Sequence, residues 1–118
     1  KGVSNILVEK MKELINRYNL EERAMNRFYK VFGEYIKNYK ENDPKYPVFM
    51  EEIVEEFDWN LVESWVRYAS VKCFGSPDFD DMNIIIDIDI GYDEFCMGRY
   101  SMYFDLNGEF IKENLEIR

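Results

Sequence analysis

Asp87 and Asp89 have the types and spacing for metal chemistry. On a strand, residues two apart share a face and lie about 6.8 Å apart. Asp105, near the end of the strand expected next, supplies a third carboxylate if it points the same way. Three such groups suit a divalent cation, Mg or Mn, which takes oxygen ligands. The same aspartates also have a plainer use. Alternating charge keeps an exposed strand face wet and discourages edge pairing.

Other chemistry is narrowed by what the chain lacks. There is no His, no Thr and no Gln in 118 residues. Without His there is no Ser-His-Asp or Cys-His nucleophile, no imidazole zinc ligand and no ordinary pH switch. Tyr92, Tyr100, Tyr103 and Cys96 have no basic residue at readable spacing to activate them. They are taken as structural. "DFDDMN" is rich in oxygen donors but lacks the Gly and terminal Glu of a calcium-binding helix-loop-helix loop.

The elements that must position these residues follow from periodicity. Ser4 or Asn5 is placed to cap a first helix, along which Leu7, Met11, Leu14, Ile15 and Tyr18 recur at helical spacing. Asn19 with Glu22 has the spacing of a capping box for a second helix. Its core stripe is Met25, Phe28, Phe32, Tyr35, Ile36 and Tyr39, with Gly33 explained by close packing against a neighbour. "ENDPKYP" at 41–47 reads as a loop. A short helix follows at about 48–57, with Phe49, Ile53, Val54 and Phe57 inward and Glu51, Glu52, Glu55 and Glu56 outward. Those glutamates are either a solvated face or a binding patch.

From Trp65 the period becomes two. Strands are predicted over 65–74, 82–90, 97–106 and 109–117, with turns at "GSPDFDD", "GYDEF" and Asn107-Gly108, the last a strong hairpin signal. Ile84, Ile86, Ile88 and Ile90 share one face of the second strand; Ile85, Asp87, Asp89 and Gly91 share the other. The reading is one α+β domain over 1–118. Two or three N-terminal helices (1–58) pack on one face of an antiparallel meander of about four strands (65–118).

Phe74-Gly75-Ser76, a ten-residue gap, then Asp87-Ile88-Asp89-Ile90 resembles the motif of nucleotidyltransferases of the DNA polymerase β superfamily, over about 17 residues. The resemblance implies that Gly75 and Ser76 hold nucleotide phosphates. It makes Asp87 and Asp89 ligands of Mg or Mn, with Asp105 as the third carboxylate. The family usually has a helix in the gap, often with Arg or Lys. Here "PDFDDMNIII" holds three acids and no basic residue.

Charge points elsewhere. The net charge is −9. Residues 1–40 carry nine Lys and Arg against five Asp and Glu, whereas residues 41–94 carry three against fifteen. Such a middle section repels nucleic acid and anionic membranes and attracts basic proteins. Asp78, Asp80, Asp81, Asp87, Asp89, Asp93 and Glu94 crowd together with Phe79, Tyr92, Phe95, Trp59 and Trp65 among or near them. Aromatics within a charged rim have the composition of an interface hot spot. Carboxylates on alternate strand residues also repeat at about the phosphate spacing of a nucleic-acid strand. The expectation is a small acidic binding protein that occludes the cleft of a basic partner, as an immunity protein for a nuclease toxin or a phage-type inhibitor does. Its site comprises the seven acids with Tyr92 and Phe79; no cofactor and no direct nucleic-acid contact are expected. A polar start and the lack of any long apolar run place it in the cytoplasm, with Cys73 and Cys96 as free thiols.

Overall fold

The computed structural model describes residues 3–73 and 82–118. Helix α1 (Val3–Arg17) and helix α2 (Leu20–Lys37) are followed by a short α3 (Met50–Glu55) and a 3-10 turn at Trp59–Leu61. Four antiparallel strands then pair in chain order: β1 (Val62–Cys73), β2 (Met82–Tyr92), β3 (Phe95–Phe104) and β4 (Phe110–Ile117). This is the α+β meander the periodicity predicts, with all helices on one face.

The helices cover the isoleucine face because period-two alternation leaves no other apolar surface for them. Ile84, Ile86, Ile88 and Ile90 are fully buried with Leu20, Ala24, Phe28 and Phe32 of α2, Met97, Tyr100 and Phe104 of β3, and Met50 of α3. Burying each isoleucine contributes about 2 kcal/mol of transfer free energy. Three of the expected details change. Asn19 does not cap α2 through its side chain; it sits in the left-handed region at φ 53° and bends the chain between α1 and α2. Asn tolerates that conformation better than most residues. The second strand pair turns on two residues only, Asp93 and Glu94, at φ 50° and 66°. Positive φ at both positions is what a type I′ hairpin demands, here without glycine, so β3 starts at Phe95 rather than Met97. β1 likewise starts three residues before Trp65.

The neighbour that packs on Gly33 is Trp59, whose ring lies 3.4 Å from where a Cβ would stand. Phe32, Phe57 and Trp59 meet edge to face, tying the 3-10 turn to α2. The proline-containing loop is locked back onto the same helix. Tyr46 donates its hydroxyl to the Tyr35 carbonyl at 2.9 Å, and Tyr35 donates to the Lys45 carbonyl at 2.9 Å. Both contacts fix where α3 begins.

Candidate partner-binding site

Asp87 and Asp89 lie on the sheet face away from the helices, on the second of four strands, yet both are buried. Neighbouring side chains roof them. β1 bulges between Val66 and Tyr68, so Arg67 is the extra residue and reaches over β2. Arg67 donates through Nη1 to Asp89 Oδ2 at 2.8 Å, and Arg99, opposite on β3, donates through Nε to Oδ1 at 3.2 Å. Burial pushes the Asp89 carboxyl up, but hydrogen bonds and charge from Arg67 and Arg99 more than offset that and hold it below the usual carboxylate range. Asp87 accepts from the Ser101 hydroxyl opposite it. Both aspartates are therefore committed to partners inside the fold.

Asp105 does not join them. Phe104 pairs with Ile84, which places Asp105 at the far end of β3 from the Asp89–Arg99 pair. Its Oδ1 accepts from the backbone amides of Asn107 and Glu109 at 2.8 and 2.9 Å and so shapes the β3–β4 turn. Among the described residues no group of three or more Asp, Glu or Cys is placed to hold a metal ion. Asp78, Phe79, Asp80 and Asp81, with Phe74, Gly75 and Ser76 of the nucleotidyltransferase pattern, lie outside the described residues.

Cys73 pairs with Met82 on β1 and Cys96 with Gly91 on β3, so β2 stands between them. Cys96 is a free, exposed thiol.

Eight exposed acids lie on or beside α3, the 3-10 turn, the start of β1 and the β2–β3 turn. The Asp93 amide donates to the Leu61 carbonyl at 2.9 Å, joining the β2–β3 turn to the start of β1. Phe95 meets Phe49 with ring centroids 5.8 Å apart, and Tyr92 stacks on Phe57 at 5.6 Å, joining the turn to both flanks of α3. Tyr92 is buried, and its hydroxyl accepts from the Asp58 amide at 3.0 Å. Tyr92 is therefore a support of the surface rather than part of it. Asp93 and Glu94 are exposed, as are Glu51, Glu52, Glu55, Glu56, Asp58 and Glu63. Residues 46–66 and 92–98, which carry these side chains, contain eight acids and no Lys or Arg.

Apolar surface lies among these acids. Val48 is 93% exposed and Phe95 54%, with Trp59, Leu61 and Trp65 about two-fifths exposed. Trp59 packs on the helix side against Phe32, whereas Trp65, opposite Asp89, lies on the sheet face away from the helices. From sequence, Asp93, Glu94, Trp59, Trp65 and Phe95 were legible; Val48, Leu61, Asp58 and Glu63 were not. The signal that finds them is the long run without a positive charge.

No family model, curated protein or solved structure matches the chain.

Proposed function

We propose that the chain is a small acidic binding protein that neutralises a basic macromolecule by covering its active or nucleic-acid-binding cleft. An immunity partner of a nuclease-type toxin, or a phage-type inhibitor of a host nucleic-acid enzyme, is the setting that fits this chemistry. The observation that supports it is the end built by α3, the 3-10 turn and the β2–β3 hairpin. Segments 46–66 and 92–98 together carry eight exposed carboxylates, no basic residue, and exposed Val48, Trp59, Leu61, Trp65 and Phe95. Holding those carboxylates together costs self-repulsion, which a basic partner relieves. The apolar residues supply the desolvated centre and the acids the rim and the steering.

The test compares the wild-type chain with the Glu51→Lys, Glu55→Lys, Glu94→Lys variant. Each is immobilised and exposed to source-cell lysate at low salt, and retained proteins are assayed for nuclease or nucleic-acid binding with and without added free chain. The wild type is expected to retain a basic nucleic-acid enzyme, release it as salt rises and inhibit it in the assay. A variant that retains and inhibits the same enzyme equally would overturn the site.

A further inference from the structure

We infer that β4 is a self-recognition edge, and that two copies of the chain join it antiparallel into one eight-stranded sheet. Among the described residues β4 is the last strand of the sheet and pairs only with β3. Its register with β3 is unbroken from Lys112 to Ile117. The Arg118 amide donates to the Met97 carbonyl at 2.9 Å, which fixes the alternation along the strand. From Lys112 to Arg118, even-numbered residues turn their peptide groups toward β3; Glu113, Leu115 and Ile117 turn theirs to the open edge. Such a row of unmade backbone bonds is a template for another strand.

The side chains say which strand fits. Lys112, Asn114 and Glu116 are exposed and share the sheet face of Tyr103, Ser101 and Arg99. Within one chain the Lys112 ammonium lies 4.6 Å from the Tyr103 ring centre and Glu116 pairs with Arg118 at 3.2 Å, exposed contacts that would be exchanged for the facing charges of a second copy. A two-fold axis through Asn114 sets Lys112 of each copy opposite Glu116 of the other, twice over. The regular run of β4 ends at Lys112, beyond which the strand is irregular at Ile111. Phe110 is 47% and Ile111 45% exposed in the single chain. The Lys112–Glu116 pairs fall at non-hydrogen-bonded positions, where facing side chains are closest. Glu113 and Leu115 of one copy exchange about four backbone bonds with Leu115 and Glu113 of the other.

Charge also rejects the adjacent registers. An axis through Leu115 sets Lys112 against Arg118, two like charges, and one through Glu113 leaves Lys112 facing Asn114. The opposite edge of the sheet, β1, is interrupted in mid-strand by the bulge at Arg67, whereas the irregularity of β4 lies at its start, at Ile111. An antiparallel β4 pairing is closed, so assembly stops at two. It points the two acidic ends in opposite directions, leaving both open, so the inference stands independently of the proposed partner.

The test is sedimentation equilibrium of the full chain with three variants: Lys112→Glu, Glu116→Lys and the double swap. The wild type is expected to be a concentration-dependent dimer. Each single change sets like charges opposite each other at two places and should weaken dimerisation by at least about tenfold; the double swap should restore it. Circular dichroism checks that each variant folds. Should the single variants fail to fold, hydrogen exchange on the wild type decides. The Glu113, Leu115 and Ile117 amides are expected to become protected as concentration rises, while the rest of the sheet stays constant. A wild type that is monomeric throughout, a larger open-ended oligomer, or a double swap that fails to recover would overturn the pairing.

Discussion

Arg27 and Glu113 meet fork to fork across the helix–sheet interface, 86 residues apart in the chain. Arg27 donates through Nε to Glu113 Oε1 at 2.8 Å and through Nη2 to Oε2 at 2.7 Å. The buried Tyr100 hydroxyl donates to the same Oε1 at 2.7 Å. One carboxylate thus joins α2, β3 and β4 at a fixed distance, and the two parallel bonds give it direction as well as strength.

Removing either side of that fork should loosen β4 first. Glu113→Gln and Arg27→Met are each expected to cost about 1–2 kcal/mol, the lower part of the range for charged hydrogen bonds because the Arg27 side chain is 38% exposed. Tyr100→Phe keeps the ring in the core and should cost about 1 kcal/mol. Urea unfolding of the singles and the Arg27→Met, Glu113→Gln double variant measures the coupling. Strictly additive losses would mean that the pair contributes nothing beyond its separate members.

Acid should unfold the protein through the same groups. The hydrogen bond from Arg27 holds the Glu113 carboxyl below its ordinary value, and Arg67 with Arg99 do so for Asp89 against the effect of burial. Both carboxylates have folded values depressed below their unfolded ones. Their contribution is therefore present above about pH 5 and lost as pH falls through the folded values. Asp89→Asn should lower the melting temperature at neutral pH and flatten its fall between about pH 5 and 3. An acid limb as steep as in the wild type would show that Asp89 carries no such linkage.

That aspartate also marks the limit of what the sequence discloses. Strict alternation over "NIIIDIDI" identifies the buried isoleucine face without ambiguity, since a slip of one residue would put every isoleucine in water. The other face looks equally simple but is not. Whether Asp87 and Asp89 meet solvent depends on a bulge that brings Arg67 across and on a register that sets Arg99 and Ser101 opposite them. Neither bulge nor register is written in local pattern. The candidate surface was half legible for the same reason. Asp93, Glu94 and Phe95 stand out in the strand-rich segment, but their union with α3 runs through Phe49–Phe95 and Phe57–Tyr92, contacts between segments some forty residues apart. In the sequence Tyr92 stands among acids, as surface residues do. It is buried because its side-chain parity is that of Ile90.

Gly98 should be the least replaceable glycine in the sheet. A Cβ there would fall 2.0 Å from the Glu116 carbonyl oxygen, a backbone atom that cannot move without shifting β4. Gly98→Ala is expected to cost about 3 kcal/mol and to speed hydrogen exchange along β4 selectively. Gly91 is the control. Its Cβ would stand 3.5 Å from the Trp65 ring and 3.6 Å from other neighbours, an ordinary contact, so Gly91→Ala should change stability by less than about 1 kcal/mol. Equal losses at the two positions would mean that strand spacing, not this close approach, sets the tolerance.

At the acidic end the two kinds of residue should act on different rate constants. The glutamates of α3 and the β2–β3 turn are exposed and form a rim, so their effect is on encounter, which salt screens. Glu51→Lys with Glu55→Lys should lower the association rate with a basic partner about tenfold at low salt and much less at high salt, with dissociation nearly unchanged. Phe95 is anchored by Phe49 yet 54% exposed, which presents a held ring to a partner. Phe95→Ala should leave association alone and raise the dissociation rate about thirtyfold, a loss of about 2 kcal/mol at a central aromatic. Surface plasmon resonance at two salt concentrations separates the effects. If Phe95→Ala left dissociation unchanged while the glutamate variants slowed association, the partner would be held at the acid rim and not over the exposed aromatics. That would move the contact from the hairpin turn toward α3.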